Sequence, residues 1–172
     1  LEKILFALLC KIFREKKIKL SVLGKQHSRL SQIEEKFYKQ IDNNFIFIPM
    51  TKEKRKNYRH IDASKLVVSL DSTLGYESLA RGKRTAFLTI RSQDLKNKSH
   101  NFGWPNKFQD LGPFWINYYD EFYIRKIIDY LLNISDKEWN TETRKYINKI
   151  MIYDSGNKIL KKYIKEIEFK TN

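Results

Sequence analysis

The sequence predicts an α/β fold: a Rossmann-like parallel sheet flanked by helices, with a C-terminal helical extension. Three observations lead there. Short apolar runs rich in β-branched residues alternate with helical patterns from the N-terminal region to about residue 90. Residues 66–84 place a strand, a hydroxyl-rich turn, a helix and a glycine stop in direct succession. From Asp120 onward every pattern is helical.

The 66–84 segment is the most informative. Leu66 to Leu70 is a buried-strand run. Asp71, Ser72 and Thr73 are helix-capping residue types. Glu77 follows Thr73 by four positions, close to the capping-box spacing but not on it. The helical pattern reaches Arg81, and Gly82 is placed to close it at C′. Thr85 to Ile90 reads as the next strand. Backbone N–H groups at such a helix start lack intrahelical partners and face whatever lies above the strand end. That arrangement suits an anion, most often phosphate.

Residues 2–15 form an amphipathic helix with Ile4, Leu5, Leu8, Leu9 and Ile12 on one stripe. Phe6 and Phe13 lie off it, so a second apolar face needs a cover: a missing lobe, a membrane surface or deep packing. The apolar run Ile4–Cys10 is too short to span a bilayer and lacks a small-residue cleavage site. Ile18–Leu23 alternates like a strand, and Gly24–His27 is a polar loop. Ser28–Asp42 is helical, with Leu30, Ile33, Phe37 and Ile41 at core spacing. Phe45–Ile48 is a strand stopped by Pro49. Lys52–Arg59 is a basic loop or short helix, and His60–Lys65 a short helix. Residues 91–119 read as a long irregular region, rich in aromatic residues and of a length that often carries function. Helices follow at Asp120–Asn133, 136–152 and 155–168.

Parallel strands joined by helices open their ligand-binding loops on the carboxyl edge of the sheet. The Gly24–His27 loop and the Asp71–Gly75 turn both follow strands and are expected on that edge.

At 172 residues the chain is one domain, or one large lobe of a larger enzyme. Beginning at Leu1, it is expected to be the C-terminal portion of a longer protein. The single Cys10 excludes an intrachain disulfide and a cysteine-rich metal site, and points to a reducing compartment. His60 and His100 show no metal-ligand spacing, so they are read as structural, and no metal is expected. The net charge is +14, and residues 1–60 carry 15 Lys and Arg against 6 Asp and Glu. Such a surface favours anionic partners: nucleotide, nucleic acid or acidic lipid headgroups. A solvated basic face is the plainer alternative. No nucleic-acid-binding motif is present, so nucleic acid is not the expected partner.

The run Ser72-Thr73-Leu74-Gly75-Tyr76-Glu77-Ser78-Leu79-Ala80-Arg81-Gly82-Lys83 resembles the donor-side motif of glycosyltransferases with two Rossmann lobes, the GT-B architecture. More narrowly, the chain resembles bacterial surface-carbohydrate biosynthesis proteins, including capsule and lipopolysaccharide transferases. Phe102-Gly-Trp-Pro-Asn-Lys-Phe108 and Gly112-Pro-Phe-Trp115 are similar to segments of that group. Lys25-Gln26-His27-Ser28 matches in part the Lys-x-His-Pro loop of some sialyl- and Kdo-type transferases, with Ser28 in place of proline. The resemblance covers roughly residues 15–130.

It implies a nucleotide-sugar-binding lobe over residues 1–119, with helices 120–172 packed on it and an acceptor lobe outside this chain. It implies a nucleotide-sugar donor as substrate, no cofactor, and a saccharide or lipid-linked acceptor. The place of action would be the cytoplasm, with docking at the inner membrane through residues 1–17 as an alternative. The phosphates would meet Ser72, Thr73, Leu74 and Gly75, with Lys25 offsetting charge and His27 donating a hydrogen bond. Glu77 would accept from ribose hydroxyls. Arg91 and Trp104 are further candidates for substrate contact. Each has a structural alternative: a helix cap at Ser72 and Thr73, a solvated carboxylate at Glu77, a surface histidine at His27, core packing for the aromatics. The catalytic base is unassigned and expected in the other lobe. Competing functions are a sugar-nucleotide epimerase-like lobe, a basic nucleic-acid module and a membrane-docking module.

Overall fold

The computed structural model describes residues 1–25, 29–51, 53, 56–151 and 154–168. It is an α/β structure with small parallel sheets flanked by helices and a helical C-terminal part. In order the elements are α1 (Glu2–Glu15), β1 (Ser21–Leu23), α2 (Arg29–Lys39), β2 (Ile46–Ile48), α3 (Lys56–Ala63), β3 (Val67–Ser69) and α4 (Thr73–Ala80). There follow β4 (Thr85–Leu88), α5 (Arg91–Asp94), a 3-10 turn (Lys98–His100), β5 (Trp115–Ile116), α6 (Glu121–Asn133), α7 (Asp136–Ile147) and α8 (Lys158–Glu168).

Every named strand pair is parallel, as the alternation of strands and helices predicts, but the strands form two sheets rather than one. β1 pairs with β2, Ser21 opposite Ile46 and Leu23 opposite Ile48. The second sheet has the order β3-β4-β5, with Ser69 opposite Phe87 and Phe87 opposite Trp115. Its central strand β4 is buried along its whole length, which is why Thr85-Ala-Phe-Leu88 shows no polar alternation. β5 arises inside the region expected to be irregular; at two residues it is too short to leave a pattern.

The main core lies on this second sheet. Phe87, Leu88, Phe114 and Ile116 meet Leu5, Leu8 and Ile12 of α1, Ile124 and Ile128 of α6, and Trp139 of α7. Each such side chain contributes roughly 1.5–3 kcal/mol by leaving water. The second apolar face of α1 is covered within the chain: Phe6 packs 4.7 Å from Tyr38 and 5.3 Å from Phe45, centroid to centroid. Deep packing is therefore the answer to the two-faced helix, which joins the β1-α2-β2 unit to the main core. The stripe predicted for α2 is only partly used, because Leu30 and Ile33 remain exposed. A sheet of two three-residue strands offers too little apolar surface to cover it.

Local signals fix the helix ends. Ser135 and Glu138 form a capping box at α7. α4 ends in a Schellman arrangement: Gly82 N–H donates to the Leu79 carbonyl at 2.9 Å and Lys83 N–H to that of Ser78 at 3.0 Å. Gly82 has φ +82°, the left-handed conformation expected of it at C′. The Trp139 indole then donates to the Gly82 carbonyl at 2.9 Å, which locks α7 onto this turn.

Candidate functional site

The carboxyl ends of β3 and β4 bring together the Asp71–Glu77 segment, Arg91 and, from the 3-10 turn, His100. Ser72 is the N-cap of α4, and its Oγ accepts from Leu74 N–H at a long 3.3 Å. The Ser72 N–H donates to Ser69 Oγ at 3.3 Å, and Gly75 N–H to the Ser72 carbonyl at 2.9 Å. Thr73 is different. It is exposed, and neither its N–H nor its hydroxyl has a hydrogen-bond partner among the described residues. Of the donors at this helix start, Thr73 supplies the free ones, and Leu74 N–H is held only weakly.

Gly75 plays a packing role that the sequence left unspecified. A Cβ there would lie 2.3 Å from Ser69 Oγ and 2.4 Å from Ser69 Cβ. The glycine therefore sets how closely α4 lies on β3, and with that the height of the Ser72–Thr73 turn above the strand end.

Glu77 follows Thr73 by one helical turn, so the two side chains share a face of α4. Its Oε2 accepts a hydrogen bond from the Tyr58 hydroxyl of α3. That bond, with partial burial, raises the Tyr58 pKa above its ordinary value. The Arg81 guanidinium lies 5.4 Å from the Tyr58 ring centroid and donates to Asp62 at 2.6 Å. Tyr58 thus belongs to the candidate site. It sits 19 positions from Glu77, and no local pattern links the two.

Arg91 opens α5, immediately beyond β4. Its Nη1 donates to Asp71 Oδ1 at 2.7 Å and its Nε to Glu2 at the start of α1. These two carboxylates, against the opposing effect of burial, hold the guanidinium pKa above its ordinary value. His100 Nδ1 lies 3.1 Å from the other Asp71 oxygen. The histidine read as structural is thus seated on the residue that precedes the helix cap.

Trp104 is 60% exposed, unlike the other aromatics of its loop. Its neighbour Gly103 donates to the Tyr76 hydroxyl of α4 at 3.0 Å, which ties the loop to the same helix. Phe102, Phe114 and Trp115 are buried in the core, Phe102 stacking on Trp115 at 4.7 Å. The loop is also fixed from below by Asn117. This buried side chain accepts from Thr89 Oγ1 at 2.6 Å and Phe102 N–H at 2.9 Å, and donates to Asp110 at 3.0 Å.

Lys25 follows β1 and is exposed, so it sits on the two-stranded sheet and not on the sheet that carries Thr73. Its N–H donates to both carboxylate oxygens of Glu34, at 3.1 and 3.0 Å. His27 lies outside the described residues.

No described helix is long and apolar enough to cross a membrane. No curated protein and no solved structure matches the chain significantly. A family model does, along residues 1–168, and its description is "putative O-antigen biosynthesis protein". That match spans nearly the whole sequence, and the chain belongs to this O-antigen biosynthesis family.

Proposed function

We propose that the chain is the nucleotide-sugar-binding lobe of a glycosyltransferase for bacterial surface polysaccharide. One observation carries the reading: Thr73 offers an N–H and a hydroxyl with no partner among the described residues, at a helix start beyond a parallel strand, with Glu77 one turn along the same face. Family membership supplies the surface-carbohydrate setting.

The chemistry suits these groups. Sugar transfer leaves a nucleoside phosphate, so negative charge grows on the leaving oxygens. Fixed donors aimed at that charge stabilise the transition state, and they need no reorganisation as it forms. The helix dipole adds about 0.3–1 kcal/mol for a nearby anion. Thr73 and the weakly held Leu74 N–H would meet the phosphates, with Ser72 and Gly75 shaping the turn, and Glu77 would accept from the ribose. Lys25 would add positive charge from the other sheet, and His27 would donate a hydrogen bond. Trp104, exposed on its loop, would offer a ring for stacking. The acceptor and the catalytic base would come from a second lobe, so this chain alone would not turn over.

A thermal-shift panel of UDP, GDP, CMP and dTDP tests the reading. A ligand at a hundredfold excess over its Kd stabilises by about 2.7 kcal/mol, a shift that is readily measured. At least one nucleotide is expected to raise the melting temperature. Four flat responses would reject nucleotide-sugar binding by this chain.

A further inference from the structure

α8 has one apolar face and one basic face, and both are in water. Every side chain from Lys158 to Ile167 is exposed, including Ile159 (47%), Leu160 (55%), Tyr163 (60%) and Ile164 (46%). At about 100° per residue these four fall within an arc of about 140°. Lys158, Lys161, Lys162 and Lys165 fall within about 100°, centred on the opposite side. The helix is firmly started, since the Asp154 carboxylate accepts from the N–H groups of Lys158 and Ile159, each at 2.9 Å. An apolar stripe of four large side chains is costly to leave in water, at about 25 cal/mol for each Å².

We propose that α8 docks this chain on an anionic lipid surface. The helix would lie in the plane of the headgroups, its Ile159/Leu160/Tyr163/Ile164 stripe sunk into the acyl boundary and its lysines within reach of lipid phosphates. Such in-plane helices combine a Lys-rich polar face with an apolar face and need no particular length. Charge decides the occupant. The helix carries four lysines against Glu166 and Glu168, on a chain of net charge +14. A second copy would set +14 against +14, whereas an anionic bilayer attracts every one of these lysines. α1, the element the sequence offered for docking, leaves Ile4 exposed but has Leu5, Phe6, Leu8, Leu9 and Ile12 buried in the fold. The inference stands apart from the nucleotide-sugar reading and survives if that reading fails.

The test is co-sedimentation of the full chain with vesicles of phosphatidylcholine alone, or of phosphatidylcholine and phosphatidylglycerol in equal parts. Binding is expected to the anionic vesicles and to weaken as salt shortens the screening length from about 10 Å at 0.1 M to about 3 Å at 1 M. Lys161→Gln/Lys165→Gln should weaken it about fivefold for each lysine removed. Leu160→Glu/Ile164→Glu should reduce it to the level of neutral vesicles. Both double variants alter exposed positions, so melting temperatures should match wild type and show that the fold is retained. Equal binding to both vesicle types, no binding to either, or full binding by Leu160→Glu/Ile164→Glu would overturn the proposal. So would a dimer in sedimentation velocity that Leu160→Glu/Ile164→Glu dissolves, because the stripe would then cover a second copy.

Discussion

Arg91 donates from Nη1 to Asp71 Oδ1 at 2.7 Å, and so ties the carboxyl end of β4 to that of β3. Asp71 is adjacent to the Ser72 cap, so this ion pair holds the base of the turn that presents Thr73. Two carboxylates surround the guanidinium, which makes Arg91 a support for the turn rather than a free cation. Arg91→Gln should cost about 1–2 kcal/mol of stability, discounted for partial exposure. Nucleotide affinity should fall less than it does for Thr73→Val. A urea melt beside a titration checks both. A large affinity loss at unchanged stability would instead make Arg91 a ligand contact.

Gly75→Ala should destabilise the protein by about 1–3 kcal/mol, because the new Cβ meets Ser69 head-on. Ser69→Gly in the same chain removes both clashing atoms and should restore part of the loss. The denaturation midpoints of the two single variants and the double variant give the coupling directly. Additive losses would mean that the close approach of α4 to β3 is unimportant.

Much of this arrangement was legible because it is local. Ser72 as cap, Gly82 at C′ and the strands on either side of α4 are all set within a few residues. The sheet division was not legible, since parallel pairing joins segments about twenty or more residues apart. β5 escaped because two residues between Phe114 and Asn117 carry no periodicity. Tyr58 was missed for a related reason: its partner, Glu77, meets it only through the tertiary fold, as Asp71 meets His100. The exposure of Leu30 and Ile33 shows the converse error. Helical spacing marks a face as apolar without saying whether the fold has surface to cover it.

Cys10 is buried in α1, and burial, with Asp42 adding to it, pushes its pKa up to about 11 from 9.0. A raised folded-state pKa contributes stability that is complete below about pH 9 and lost as pH rises through about 11. Cys10→Ala should therefore show a shallower alkaline decline than wild type between those limits. Every other titratable group is common to both proteins, so the difference between the two curves isolates the thiol. Parallel curves would remove the thiol as a cause. Native Cys10 should also resist iodoacetamide until the protein unfolds.

Glu77→Gln tests the ribose role. Binding of a nucleoside diphosphate should weaken, while pyrophosphate, which lacks the sugar, should bind as before. Tyr58→Phe frees Glu77 Oε2 and should leave pyrophosphate equally unaffected. Equal affinity of wild type and Glu77→Gln for the nucleoside diphosphate would remove Glu77 from the site.

The most direct test of the central claim is isothermal titration of wild type and Thr73→Val with the nucleotide that stabilises the protein best. Thr73 is exposed and its hydroxyl has no partner among the described residues, so its replacement should leave the denaturation midpoint nearly unchanged. Loss of a hydrogen bond to a charged phosphate should weaken binding by about 1.5–3 kcal/mol, roughly 10- to 150-fold in Kd. Equal affinities for the two proteins, or a stability loss of about 1 kcal/mol with affinity intact, would reduce the turn to a helix cap and contradict the account.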